Sequence, residues 1–356
     1  MRTDYAPQGA GFRIGESPSS LTLQTVYTND LLDSAAGEFT ADVNGLKKST
    51  TYYFQAFMTV SDGKGGYTEI VSSTIGQFTT TDQVPATPTG WLELPATTGS
   101  EDYVGTFYGS GGNTEANRNY SYNYSYTYYA SLWTAYPLTA AHKSGNASTS
   151  NWKYNPDIDK NYQVNMTGNS YPTMYNASNY SKGHQCPNAD RQSDDKMNEQ
   201  TYYCTNQTPQ LQSGFNGTIW SALENAERSL ATGNETIYVI TGPVYRTVGA
   251  NETIQYLTGA SGQNANPASL PVPNYYFKAF LKVKWNGDEV QSASTIGFWF
   301  EHKQYDNSNY ASYACSVDFI EQKTGFDLFT NLPGDNNSGI EKTAEANDNW
   351  STFQNF

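Results

Sequence analysis

Only three histidines occur in the chain, His142, His184 and His302, so a general base working near neutral pH has few candidates. His184 stands in Tyr180-Ser181-Lys182-Gly183-His184-Gln185-Cys186-Pro187, where a flanking glycine lets backbone approach a ligand and a proline ends the strand soon after. A histidine taken alone is ordinarily a hydrogen-bonded structural residue, and His142 and His302 are read that way. His184 differs in its downstream neighbours. Tyr202-Tyr203-Cys204-Thr205-Asn206-Gln207-Thr208-Pro209-Gln210 reads as a short strand closed by a proline turn, and Gly214-Phe215-Asn216-Gly217-Thr218-Ile219-Trp220 leads into a helix. On that helix Asn216, Trp220, Glu224 and Arg228 recur every fourth residue as one slowly drifting polar stripe, while Ile219, Leu223, Ala226 and Leu230 mark the buried side. Strand, strand and helix, with polar groups facing the first strand, make a compact metal-binding unit. Each residue also has a plainer reading: Asn216 as a helix N-cap, Glu224 and Arg228 as a surface ion pair, Asn206 as an Asx turn.

The elements that must position these groups divide into two regions. Short strands separated by turn signals are predicted at residues 11–14, 20–27, 38–43, 50–60 and 67–79, the pattern of a sandwich. Residues 83–98 carry proline at intervals and read as an extended linker. Beyond it Tyr120, Tyr122, Tyr124, Tyr126 and Tyr128 alternate with small polar residues, placing the phenols on one strand face that is either half-buried or a base-stacking platform. Further strands are predicted at 133–138, 236–241, 275–285 and 294–300, with helices at 217–232 and 316–324, each stopped by a glycine. Strands and helices segregate without a βαβ repeat, so the class is α+β.

A chain of 356 residues is long enough for two cores, and 37% hydrophobic residues supply them. No run is long and apolar enough to span a membrane, and the polar opening Met1-Arg2-Thr3-Asp4-Tyr5 does not suit a signal peptide. Charged residues are scarce at 15%, a composition that suits an extracytoplasmic protein. Three cysteines, Cys186, Cys204 and Cys315, permit one disulfide and lack zinc-site spacing. The formal charge of −14 argues against a stoichiometric nucleic-acid binder. It leaves room for an enzyme in which a bound cation handles the phosphate. The acidity is otherwise solvated surface serving solubility.

The segment from Ser181 to Arg228 resembles the DNA/RNA non-specific endonuclease family, whose ββα-metal motif places a histidine on the first strand and a metal-ligating asparagine at the start of the helix. By that resemblance His184 is the base, Asn216 the metal ligand, Asn206 an active-site asparagine, Glu224 a glutamate acting on the metal through water, and Arg228 a phosphate contact. The resemblance extends in order through Trp133-Thr134-Ala135-Tyr136-Pro137-Leu138, Tyr238-Val239-Ile240-Thr241-Gly242-Pro243 and Ser316-Val317-Asp318-Phe319-Ile320-Glu321. It implies Mg²⁺, with Mn²⁺ as substitute, DNA and RNA as substrates, and 5′-phosphate products. The expected architecture is a ββα-metal nuclease domain with a mixed β-sheet core over residues 99–356. A partial fibronectin type III-like sandwich precedes it over residues 1–82, on the likeness of Gly45-Leu46-Lys47-Lys48-Ser49-Thr50-Thr51-Tyr52-Tyr53-Phe54 to that family's later strands; it is short of early strands, as if Met1 trimmed a longer protein. Such a domain would bind a surface or a protein partner.

Two departures stand out. The family's Asp-Arg-Gly-His is Ser181-Lys182-Gly183-His184 here, keeping a cation without its acid, and a second phosphate-binding arginine is replaced by Ser150. Transition-state charge then rests on the metal, Arg228 and either Lys182 or Lys153, which predicts slower turnover. Cys186 and Cys204 lie near corresponding positions of the two motif strands, which leaves open either a cross-strand disulfide or free thiols. Two other classes of function remain: a surface adhesion or glycan-binding protein with an inactive nuclease-like domain, and a phosphodiesterase for another substrate.

Overall fold

A computed structural model describes residues 7–27, 50–61, 67–80, 90–97, 101–166, 168–287, 289–333 and 339–356. The chain divides into two units, Met1–Gln83 with Pro156–Asp159, and Val84–Asn155 with Lys160–Phe356.

In the first unit β1 (Pro7–Gly15), β2 (Gln24–Tyr27), β3 (Thr51–Ser61), β4 (Tyr67–Val71) and β5 (Gly76–Thr79) form one antiparallel sheet in the order β2-β1-β3-β4, with β5 on the other end of β3. The strand predicted at 67–79 is two strands, because Ser72 turns the chain by accepting from the Thr74 N–H at 3.0 Å. The predicted second layer of a sandwich is not built by the described residues, since β4 and β5 both pair with β3. The strand predicted at 38–43 lies outside the described residues.

The second unit is built on β6 (Tyr103–Tyr108), β7 (Arg118–Ser125), β8 (Ala130–Thr139), α1 (Tyr171–Tyr175), β9 (Tyr180–His184), α2 (Asp195–Gln200), β10 (Gln207–Leu211) and α3 (Ser221–Leu230). Then come β11 (Thr236–Val244), β12 (Gln255–Thr258), β13 (Ser269–Val272), β14 (Tyr275–Asn286), β15 (Glu289–Glu301), β16 (Ala314–Cys315), α4 (Val317–Thr324), α5 (Gly339–Glu345) and α6 (Trp350–Gln354). Seven strands form the main sheet in the order β16-β15-β14-β11-β8-β7-β6. The α+β class holds, but the expected mixed sheet is antiparallel at every pairing. Meanders such as β6-β7-β8 and β14-β15 need only short turns, whereas parallel neighbours need long crossovers.

Alternation along the central strands sends side chains to two covered faces. Trp133 and Ala135 of β8, Ile240 of β11 and Phe277, Ala279 and Leu281 of β14 share a core with Val317 and Ile320 of α4 and with Leu328, Phe329 and Leu332. The opposite parity, with Tyr136, Tyr276 and Lys278, meets α3 and its approach, where Tyr276 packs on Phe215 and Trp220 at ring distances of 5.1 and 5.6 Å. Helix α4 agrees closely with its prediction: Ser316 caps it by accepting from Phe319 N–H at 3.1 Å, and Gly325 ends it in the left-handed region at φ 76. The tyrosine strand is covered on both faces, because Asn119, Ser121 and Asn123 are buried along with Tyr120, Tyr122 and Tyr124; a stacking platform on those three rings is thereby excluded. Within the predicted linker, Trp91, Leu92 and Leu94 are buried, and Asn331 holds the Trp91 carbonyl at 2.7 Å.

Candidate active site

Strands β9 and β10 pair as a two-stranded antiparallel ladder with His184 opposite Gln207 and Ser181 opposite Gln210. The ladder docks on the main sheet through polar anchors. Tyr276 donates its hydroxyl to the Pro209 carbonyl at 3.0 Å, and Gln185 donates to the Ser131 carbonyl at 2.8 Å. Gly183 is required at its position, since a Cβ there would lie 2.2 Å from Cδ of the fully buried Gln210. After β10 the chain breaks from helical geometry at Ser213 and Gly214, the latter at φ 79, and the helical stretch that follows runs through Trp220 into α3. Strand, strand and helix follow in the predicted order, but the second strand is shifted: residues 202–206, expected as strand, form turns and a short helical turn, and Pro209, expected to close the strand, pairs within the ladder opposite Lys182.

His184 ends β9 with its ring against Trp152 at 4.8 Å and edge-on to Tyr202 at 4.8 Å. Its Nε2 is buried and makes no hydrogen bond, the only histidine nitrogen in that state among the described residues. Burial, and then the neighbouring Lys182 charge, push its pKa down to about 4, so the imidazole is neutral at pH 7. The other two histidines differ. His302 takes the Leu211 N–H on Nε2 at 2.9 Å and faces the Pro273 carbonyl through Nδ1, while His142 pairs with Thr139 at 3.2 Å.

Asn216 lies inside the helical stretch and does not cap it. Its amide nitrogen donates to Ser181 Oγ at 2.7 Å and Gln212 Oε1 at 3.3 Å, which pins the helix start to β9 and leaves the amide oxygen available. Two turns on, burial raises the Glu224 carboxyl to about 7 against the pull of Lys278 and Arg228. Arg228 donates to Asp190 at 2.8 Å and to Asn225 at 2.9 Å, so the surface Glu224–Arg228 pair is replaced by an ion pair into the interior. Trp220, the fourth member of the stripe, is core.

Asn206 occupies a different kind of place. Its side chain accepts from Cys186 N–H at 2.9 Å and donates to the carbonyls of Cys186 at 2.9 Å and Thr201 at 2.8 Å. Every one of its polar atoms braces the turn into β10. Cys186, Cys204 and Cys315 are free thiols. Cys204 sits in a helical turn before β10, outside the ladder that ends at His184 and Gln207, so it does not stand across from Cys186.

Of the two lysines expected near the phosphate, Lys153 is paired with Glu199 at 2.5 Å. Lys182 lies 5.2 Å over the Trp152 ring and donates to the Asn169 carbonyl at 2.6 Å, with no ion pair among the described residues. Ser150 is exposed and supplies no charge.

Sequence reasoning passed over the layer beneath α3. Lys278 of β14 and Glu227 are fully buried and paired at 3.0 Å; Tyr136 donates to Glu227 at 2.8 Å and stands 3.4 Å from Asp190, which holds Arg228. The signal was a lysine in the middle of the apolar run Tyr275-Tyr276-Phe277-Lys278-Ala279-Phe280-Leu281, facing a glutamate at a helix position whose neighbours are core. Trp152 and Tyr202 had no such signal, because they lie outside both strands of the ladder. A neutral amide oxygen on Asn216 and a half-buried carboxyl on Glu224, whose desolvation outweighs the charges of Lys278 and Arg228, suit a hard divalent cation.

A family model described as DNA/RNA non-specific endonuclease matches residues 101–335. The chain is 29% identical over 199 residues to "Nuclease 1, mitochondrial" of Schizosaccharomyces pombe, covering 54% of this chain and 58% of that protein. It is 25% identical over 231 residues to "Nuclease" of Nostoc sp., covering 61% of this chain and 79% of that one. A crystal structure of the EndoG/EndoGI complex aligns with a TM-score of 0.49 at 20% identity, over 60% of this chain and 84% of its own. Against three of the curated relatives the chain spans 58%, 49% and 62% of their length.

Proposed function

The chain belongs to the DNA/RNA non-specific endonuclease family, and from that membership we propose that it is a metal-dependent endonuclease hydrolysing phosphodiester bonds of DNA and RNA to 5′-phosphate products. The observation that carries this reading is the buried, unbonded, neutral Nε2 of His184, on a ladder hydrogen-bonded through Ser181 to Asn216. Nε2 takes the proton of the attacking water. An unpartnered nitrogen is otherwise a cost to the fold, and a phosphate brought beside it raises its basicity when it is needed. Trp152 and Tyr202 wall the ring and hold its orientation.

Asn216, with Glu224 through water, would hold Mg²⁺ or Mn²⁺. Bound there, the ion supplies positive charge to the phosphate and the leaving oxygen. Arg228, aligned by Asp190, and Lys182 add fixed cations, and Asn206 acts as a positioning residue by holding the turn between the motif strands. A chain of formal charge −14 thereby handles a polyanion with a few placed cations. The scarcity of charged residues supports an extracytoplasmic setting.

Digestion of plasmid DNA and of RNA tests the proposal with Mg²⁺, with Mn²⁺, with chelator and with His184→Ala. Both substrates should be cut with either metal, and neither after chelation. The variant should lose about 10²–10⁴-fold in rate. A wild-type protein that cuts neither substrate with either metal overturns the reading.

A further inference from the structure

A second cluster of oxygen donors lies away from the catalytic residues. Ligand atoms of Asp318, Glu321 and Glu345 all lie within 4.8 Å of one another. The fold brings them together by three steps: the Ser316 cap starts α4 and places Asp318 and Glu321 three residues apart on one side, Gly325 reverses the chain, and Glu345 closes α5. The Leu328 N–H donates to Glu321 Oε1 at 2.7 Å and fixes that carboxylate.

Glu345 is the telling member. Its side chain is 0% exposed, and neither carboxyl oxygen has a hydrogen-bond partner. A buried carboxylate without a cation is costly, and like charges at this spacing add to the cost. Neutralising it by protonation leaves a buried hydroxyl and carbonyl still unsatisfied. Burial and the charges of Glu321, Glu341, Asp318 and Asp327 push Glu345 up to about 10, and burial raises Glu321 to about 7.

We propose that Asp318, Glu321 and Glu345 form a Ca²⁺ site that ties α5 to α4, independent of the catalytic metal. Oxygens bound to one Ca²⁺ at about 2.3–2.6 Å can stand up to roughly 5 Å apart, whereas Mg²⁺, at about 2.0–2.1 Å, draws its ligands closer and keeps its water. Asp318 is exposed and gives the ion its path from solvent.

Calcium titration of the full chain by calorimetry and thermal melting tests this on wild type, Glu345→Gln and Asp318→Asn. Wild type should bind one more Ca²⁺ than Glu345→Gln, and should gain about 5–10 °C in Tm at a hundredfold excess over Kd. Asp318→Asn, a surface change that spares folding, should weaken that binding at least tenfold. Metal-free Glu345→Gln should melt at or above metal-free wild type at pH 8, because the amide removes the cost of holding a buried carboxyl protonated well above its ordinary range. Equal Ca²⁺ stoichiometry and affinity in all three proteins overturns the proposal, as does a Tm gain matched by the same concentration of Mg²⁺. Nuclease activity in Mg²⁺ at 25 °C stays within twofold in both variants, which separates this site from the catalytic one.

Discussion

Replacing Lys278 with methionine isolates the charge that holds the polar side of α3 on the sheet. Lys278 and Glu227 are both 0% exposed and paired at 3.0 Å, so the variant strands a carboxylate with the Tyr136 hydroxyl as its remaining donor. Breaking a buried pair from one side costs about 3–5 kcal/mol, because the surviving charge keeps its desolvation penalty. At roughly 2–4 °C per kcal/mol for a domain of this size, Tm falls by about 10 °C. The loss depends on pH. Burial raises the Glu227 pKa above the ordinary carboxylate range and Lys278 is the main group opposing it, so removing the lysine raises it further. A carboxyl whose folded pKa lies above its unfolded value contributes stability below the unfolded pKa and loses it as pH rises through the folded one. The variant should therefore lie closest to wild type near pH 5 and furthest from it near pH 8. Lys278→Met/Glu227→Leu removes the stranded charge and should recover at least half of the loss. Circular-dichroism melts of the three proteins at both pH values decide the matter. A double variant no more stable than the single, or a single-variant deficit equal at pH 5 and 8, refutes the reasoning. Lys278 also opposes the burial that raises Glu224, so plasmid cleavage by the single variant should shift its optimum to higher pH.

Three further outcomes rest on the site. The acid limb of kcat/KM on plasmid DNA should fall as pH drops through about 4, where His184 takes up a proton, and Lys182→Gln should move that limb to higher pH because it removes a charge that holds the imidazole neutral; an unmoved limb counts against His184 as the base. Gly183→Ala puts a methyl 2.2 Å from Cδ of buried Gln210, so the strand must shift at a cost of about 1–3 kcal/mol, read as a lowered Tm and a loss of cleavage; a variant that melts and cuts like wild type would falsify this packing. Unfolding without reductant in the presence of an alkylating agent should add three adducts by mass, one per cysteine, whereas a single adduct would restore a disulfide.

The sequence by itself determined the order and type of the elements that carry the site. Periodicity and the Gly325 stop are local signals, and they foretold α4, the helix after Asn216 and the central strands, because each depends on neighbours a few residues apart; the helix after Asn216 ends at Leu230, short of the glycine expected to stop it. It also singled out His184, through the scarcity of histidine and the ordered residues downstream. What only the tertiary structure decided involves residues far apart in the chain. The Trp152 and Tyr202 walls set the neutrality of His184, and Ser181 turns Asn216 from a candidate cap into a donor with a free oxygen. Asp190 draws Arg228 inward, and all of Asn206's polar atoms go to backbone. Lys278 and Glu227 tolerate burial only in each other's company, a fact no window along the chain displays. Hydrogen-bond satisfaction and desolvation are settled by whichever groups the fold brings within about 3 Å, and that proximity is a property of packing rather than of sequence neighbourhood.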